Sequence, residues 1–160
     1  MNGYDTIKVF TEKIFIKIFG TWSDRMQKLE ERIRRNAANL SKTLNAAELL
    51  DEKELAHLYE LHDLYVKALR YCGELVADAI YMKDIAYTER KQKQAEMMLA
   101  GEGTIAEREA RAELAIKEYR EREAQGNYTH TRYKAMYNSI DHKLYDIKAK
   151  RSAMEKELSQ

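Results

Sequence analysis

Apolar residues recur along this chain at steps of three and four from near its start to its last turn, and no stretch reads as a strand. Ile7, Phe10, Ile14 and Ile18 share one face of a first short helix, with Gly20 as its expected stop. A second helix is predicted to start after Ser23 or Asp24. It carries Met26, Leu29, Ile33, Ala37, Leu40 and Leu44 on one stripe, and Arg25, Lys28, Arg32, Arg34, Arg35 and Lys42 on its other face. Asn45 to Leu50 reads as a weak break, and Asp51 as the N-cap of the next helix.

From there the pattern tightens. Leu58, Leu61, Tyr65, Ala68, Cys72, Leu75, Ala79, Met82 and Ala86 alternate steps of three and four without a miss. This is a coiled-coil seam with many small knobs, suited to close helix packing. Gly73 beside it costs about 1 kcal/mol relative to alanine, and its missing side chain leaves room for a neighbouring helix. Gly101-Glu102-Gly103 then interrupts the helix, with Gly101 expected as a left-handed C-cap. Thr104 to Glu107 comes next as a capping box. A phosphate-cradling loop needs more glycines and a Lys-Ser/Thr pair after them, so the segment is read as the turn of a helical hairpin. On the return, Tyr133, Tyr137, Ile140, Leu144, Ile147 and Met154 continue a seam. Gly126-Asn127 is its weak point. A kink, a bulge and a break are all compatible with it, and a kink is favoured because apolar spacing resumes promptly.

The expected fold is all-α: a long antiparallel helical hairpin with two shorter N-terminal helices, packed on it or on a neighbouring subunit. One helical domain is expected over 1–160, with N-terminal helices over 1–48 and hairpin arms over 51–100 and 104–157. Arms of that length cannot bury their whole seam alone, so the N-terminal helices or other copies of the chain are expected to cover it.

Composition changes this picture little. There is no proline, and 28 Lys and Arg stand against 27 Asp and Glu, which excludes a strongly basic protein but leaves room for local patches. The single cysteine, Cys72, precludes an intramolecular disulfide and fits a cytoplasmic setting. No run approaches a membrane span, and Lys8, Lys13 and Lys17 break the apolar N-terminal segment, so neither a membrane nor a secretory role is expected.

Candidate chemistry is sparse. Glu54 and His57 have the ExxH spacing of helical di-iron sites, but no second ExxH accompanies them, and a surface helix is the better reading. His142 and Asp146 are read as a solvated helix pair, and Cys72 as a buried structural thiol. No catalytic residue, metal or cofactor is expected. Binding surfaces look better. With Glu102 as the midpoint of the turn, Lys93 lies level with Arg111, so that Arg90, Lys91, Lys93, Arg108 and Arg111 gather at one end of the hairpin. Such a cluster can neutralise phosphates. The interleaved Glu89, Glu96, Glu107, Glu109 and Glu113 give the competing reading, a salt-bridged solvated face. Tyr133 and Tyr137, set among basic residues between Asn127 and Arg151, are either base-stacking rings or core-facing members of the seam.

The stretch ERKQKQAEMMLAGEG, a Glu-rich helix after the Gly-x-Gly turn and a tyrosine-containing amphipathic return resemble the recombination mediators of T4-like phages, the UvsY type. The likeness covers roughly Leu55 to Met154. It implies a small, helical, oligomeric protein that binds single-stranded DNA and helps load a RecA-like recombinase. Lys93 stands where that family carries a DNA-contacting lysine, while Ala95 replaces the arginine found two residues on.

Together these features predict a non-enzymatic, homo-oligomeric accessory protein of phage type, acting in the bacterial cytoplasm on single-stranded DNA and a recombinase. Arg90, Lys91, Lys93, Arg108 and Arg111 would hold phosphates and Tyr133 and Tyr137 would stack bases. The competing expectation is a protein-interaction module, either an inhibitor of a host defence enzyme or a helical scaffold, which the near-zero net charge favours.

Overall fold

The structure, a computed structural model, describes the backbone from Gly3 and the side chains from Asp24 to Gln160. The stripe of Ile7, Phe10, Ile14 and Ile18, with Lys8, Lys13 and Lys17, lies outside the residues whose side chains are described. Four helices succeed one another: α1 (Gly3–Glu48), α2 (Leu55–Ala100), α3 (Ile105–Ala115) and α4 (Lys117–Leu158). The all-α expectation with a long packed helix pair is borne out. No described helix is long and apolar enough to cross a membrane.

The chain divides into two compact units, Met1–Arg35 and Asn36–Gln160. The stop expected at Gly20 is absent, and so is the fresh start at Ser23 or Asp24, because the backbone is helical throughout α1. A single glycine costs only about 1 kcal/mol in a helix, too little by itself to stop one. In the first unit Leu29 is buried, and Arg25, Lys28, Arg32, Arg34 and Arg35 are exposed.

The second unit is built on α2 and α4, which pack along their lengths in antiparallel sense. Leu58, Leu61, Ala68, Cys72, Leu75, Ala79 and Ala86 are buried on α2, as the seam predicts, and Tyr65 and Met82 are half-buried. Ile140, Leu144 and Ile147 answer from α4. The last turns of α1 join them at the base. Ala47 packs with Leu58, Leu61 and Ile147, flanked by Leu50, Leu64, Tyr65 and Met154. Higher up, the buried Asn36 amide donates to Glu74 on α2 at 2.8 Å. Between α1 and α2 the helix starts at Leu55, later than a cap at Asp51 would allow. The Asp51 carboxylate instead accepts from the Lys53 amide at 3.0 Å, closing a tight turn.

The return arm carries one correction. It runs unbroken through Gly126, and its one interruption falls at Ile116, with φ −93° and ψ 2°. There the ladder persists, since the Ile116 amide donates to the Ala112 carbonyl and the Arg120 amide to the Ile116 carbonyl, each at 3.0 Å. Ile116 is fully buried, which anchors the junction. Gly126 serves a different purpose: a Cβ there would lie 3.1 Å from the Lys83 Cα, so the glycine lets α4 approach the α2 backbone. Gly73 does admit a neighbour, the Tyr137 ring of α4, which a Cβ would meet at an ordinary 3.5 Å.

These two glycines separate propensity from packing. Gly73→Ala should stabilise the chain by up to about 1 kcal/mol through helix propensity. Gly126→Ala gains the same propensity but must displace backbone, so its net effect should be smaller or destabilising. Thermal midpoints of the two variants measure this, and a larger gain for Gly126→Ala would contradict the packing account.

Candidate functional site at the hairpin tip

Gly101 to Thr104 closes the tip. Gly101 is extended (φ −85°, ψ 130°) and not left-handed as expected; the positive φ, 102°, falls on Gly103. Glycine at 101 instead gives room, because a Cβ there would come within 2.8 Å of Arg108 Cγ and the arginine would have to shift. The capping box forms in full. The Thr104 hydroxyl accepts from the Glu107 amide at 3.3 Å, and the Glu107 carboxylate accepts from the Thr104 amide at 2.8 Å. That backbone bond, then the Thr104 hydroxyl, holds the Glu107 carboxyl below the usual carboxylate range.

The five predicted cations do gather near this end, but the structure gives each a partner within the chain. Arg90 donates from Nε to Glu123 of α4, with side chains only 15% and 21% exposed, and its guanidinium lies 5.4 Å from the Tyr87 ring centre. Lys91 Nζ lies 5.9 Å from the same ring. Lys93 donates to Glu96 at 3.2 Å. Arg108 folds over Gly101 and donates to the Met98 carbonyl at 3.5 Å, capping the last turn of α2. Arg111 donates to the Glu107 carbonyl at 3.3 Å and also to the Glu102 carbonyl, tying the loop to α3. Three of the five are thus part of what closes the hairpin.

Register differs from the symmetry expected about Glu102. Arg90 meets Glu123, Lys83 meets Gly126 and Gly73 meets Tyr137, so level partners sit several positions later on the return arm. Tyr133 and Tyr137 are far from the cations. Tyr137 covers Gly73, and the Tyr133 carbonyl accepts from Cys72 Sγ at 3.6 Å, roughly 40 Å of helix below the tip at 1.5 Å per residue. The Tyr137 ring packs on α2, and both tyrosines are half-buried. Cys72 itself is fully buried, and burial pushes its thiol up, so it stays protonated.

Sequence reasoning missed the most exposed apolar side chains of this end: Leu99 at 86%, Ile105 at 63% and Leu114 at 79%. Their signal was available, because all three fall off the three-four seam. Leu114 stands in a shallow groove of about 620 Å³ on the outer face of the α3–α4 junction, with Ala110, Lys117, Glu121 and Ala124. The exposed tyrosines of α4 are Tyr128 and Tyr145, at 62% and 74%.

The opposite end is tied by charge. Glu52, in the α1–α2 turn, accepts from Lys143 at 2.6 Å and also from Lys150, both on α4. Those bonds, Lys143 first, hold its carboxyl below the usual range, and Lys143 is raised in turn by the same pairing. Glu54 and His57 lie against each other at 3.6 Å. Among the described residues no three of His, Cys, Asp and Glu are grouped to hold a metal ion.

No family model matches the chain, and neither curated proteins nor solved structures give a match to it.

The Glu52 clamp gives stability a pH dependence of known sign. A carboxyl whose folded pKa is depressed stabilises above its unfolded pKa, and that contribution is lost as pH falls through the folded value. Glu52→Gln should therefore cost about 0.5–1 kcal/mol at neutral pH, a modest figure because the lysines are partly solvated. The difference from the parent chain should vanish in acid well below pH ~4. Chemical denaturation across pH reads it, and a gap that persists in acid would assign the loss to something other than the carboxylate charge.

Proposed function

We propose that this chain is a non-enzymatic helical interaction protein that engages a protein partner through the distal end of its hairpin. The carrying observation is that Leu99, Ile105 and Leu114 stand 86%, 63% and 79% exposed around a tip whose shape is fixed by its own capping box and arginine ties. Apolar side chains rimmed by charge on a rigid element have the anatomy of a protein interface. The rim alternates sign, with Glu102, Glu107, Glu109 and Glu113 among Lys91, Lys93, Arg108 and Arg111. Such a rim suits a protein partner better than a polyanion, because the cations already serve carboxylates and carbonyls of the chain. The inhibitor and scaffold readings of the sequence both belong to this class.

A second reading keeps single-stranded DNA but moves it. Tyr128 and Tyr145 are exposed on α4, with Arg132, Lys134 and Lys148 exposed beside them, which is the composition of a stacking surface. This is the form in which the mediator resemblance fits the geometry, and it does not use the tip.

Two measurements separate the readings. In pull-downs after nuclease treatment, a stoichiometric protein partner should be retained by the parent chain and lost by Leu99→Ser, Ile105→Ser, Leu114→Ser together, with helicity unchanged; capture that ignores the triple variant would sink the tip assignment. Anisotropy of a labelled oligo-dT strand at low and moderate salt tests the other. Salt-sensitive binding that Tyr128→Ala with Arg132→Ala removes, and Lys93→Glu with Arg111→Glu leaves intact, would favour DNA on α4.

A further inference from the structure

On the side of α4 turned away from α2 runs a second three-four stripe: Ala124, Tyr128, Thr131, Ala135, Asn138, His142 and Tyr145. All of these are exposed, Tyr128 at 62% and Tyr145 at 74%. None is charged, in a chain whose residues are 34% charged. The same steps continue across the Ile116 junction through Glu121, Lys117, Leu114 and Ala110, which line the groove of about 620 Å³. Among the described residues no side chain bonds either tyrosine, or Asp141 and Lys148 beside the stripe.

Laid antiparallel on a copy of itself, with a two-fold axis level with Thr129 and His130, the stripe sets Ala124 opposite Ala135 and Tyr128 opposite Thr131. Tyr145 comes opposite Leu114, so the more exposed tyrosine enters the groove of the other copy. Lys117 with His142 and Glu121 with Asn138 make polar layers, which lower affinity and fix register. Charges on the rim select this arrangement. In an antiparallel helix pair, residues that meet across the seam lie on the same flank of each helix. Glu113, Arg120, Asn127, Lys134, Asp141 and Lys148 form one such flank at seven-residue spacing. Here Glu113 meets Lys148, Arg120 meets Asp141 and Asn127 meets Lys134, each twice, as an isologous interface requires. A slip of one heptad in one direction sets Arg120 against Lys148 and Lys134 against itself. The opposite slip sets Arg120 against Lys134 and Glu113 against Asp141. A parallel pair in register crosses flanks, and brings Glu113 to Glu118 and Asp141 to Asp146. On the other flank of the antiparallel pair no like charges meet, since Glu118 faces Ser139 and Gln125 faces Arg132. Arg120 already bonds Glu113 at 2.5 Å, but their side chains are 53% and 46% exposed, which leaves each a face to offer. From Leu114 to Tyr145 the pairing spans roughly 47 Å of helix at 1.5 Å per residue.

We propose that the outward face of α4 is a homodimer seam, along which two copies of the chain pair antiparallel about a two-fold axis level with Thr129 and His130. Leu114 alone is common to this seam and the tip interface, and Leu99 and Ile105 stay clear of it. The seam covers Tyr128 and Tyr145, and so excludes single-stranded DNA from the same face.

The full chain is used for the test, with helicity checked by circular dichroism and mass by sedimentation equilibrium. The parent chain should be a dimer. Under mild oxidation, Ala124→Cys combined with Ala135→Cys should give a covalent dimer. Either substitution alone should not, because like positions then lie roughly 16 Å apart along the seam; buried Cys72 makes the parent chain the control. Asp141→Lys with Lys148→Glu opposes like charges across the seam and should weaken dimerisation by more than about tenfold. Adding Glu113→Lys with Arg120→Glu, which keeps an ion pair between positions 113 and 120, should restore it. A monomer at every concentration overturns the proposal, and a monomer that binds labelled oligo-dT in a manner lost with Tyr128→Ala gives the face to nucleic acid. Cross-linking of either single cysteine variant also overturns it, as does a charge reversal that the matching reversal fails to rescue. Leu99→Ser with Ile105→Ser should dimerise like the parent chain, so failure of the tip assignment is distinguishable from failure of this one.

Discussion

Leu58, Leu61 and Leu75 on α2, with Ile140, Leu144 and Ile147 on α4, exclude water from the lower half of the helix pair. Full burial of such a side chain stabilises by about 1.5–3 kcal/mol before conformational entropy is counted. This seam sets the register of the two arms. Register then decides which groups meet further up: Tyr137 over Gly73, the Lys83 backbone against Gly126, and Arg90 on Glu123.

The distal half is held differently. Beyond Ala79 the buried positions of α2 thin out to the half-buried Met82 and the buried Ala86, while on α4 Glu123 pairs with Arg90 and Gly126 lies against Lys83. Close backbone approach and one mostly buried ion pair take the place of bulky side chains. A pair of that kind adds little net stability but penalises every register in which one charge is left alone. The tip is then fixed locally, by a capping box and two arginines that donate to backbone carbonyls.

This arrangement explains how cations that look like a phosphate site in one dimension can be structural in three. Arginine has five donors and a long stem, so near a helix end or a facing glutamate it finds partners at hand. The fold also leaves some apolar and aromatic side chains on the surface: aliphatic ones at the tip and two tyrosines on α4. Each is displayed on a helix.

Periodicity alone determined the helical class, the α2 seam, the lower α4 seam, the stripe of α1 from Met26 to Leu44 and the capping box, because burial on one face of a helix imposes three-four spacing and a cap needs particular residues at fixed offsets. It missed the upper part of the return seam, since Glu123 and Gly126 face α2 there without being apolar. Glycines were read for backbone freedom when two of them, Gly101 and Gly126, sit where space is tight, and space depends on a neighbour from elsewhere in the chain. Which arginines are already occupied, and which apolar residues are left outside, likewise depend on inter-helix register. Spacing within one helix specifies which side faces a partner; only tertiary structure decides which residue of that partner stands level with it.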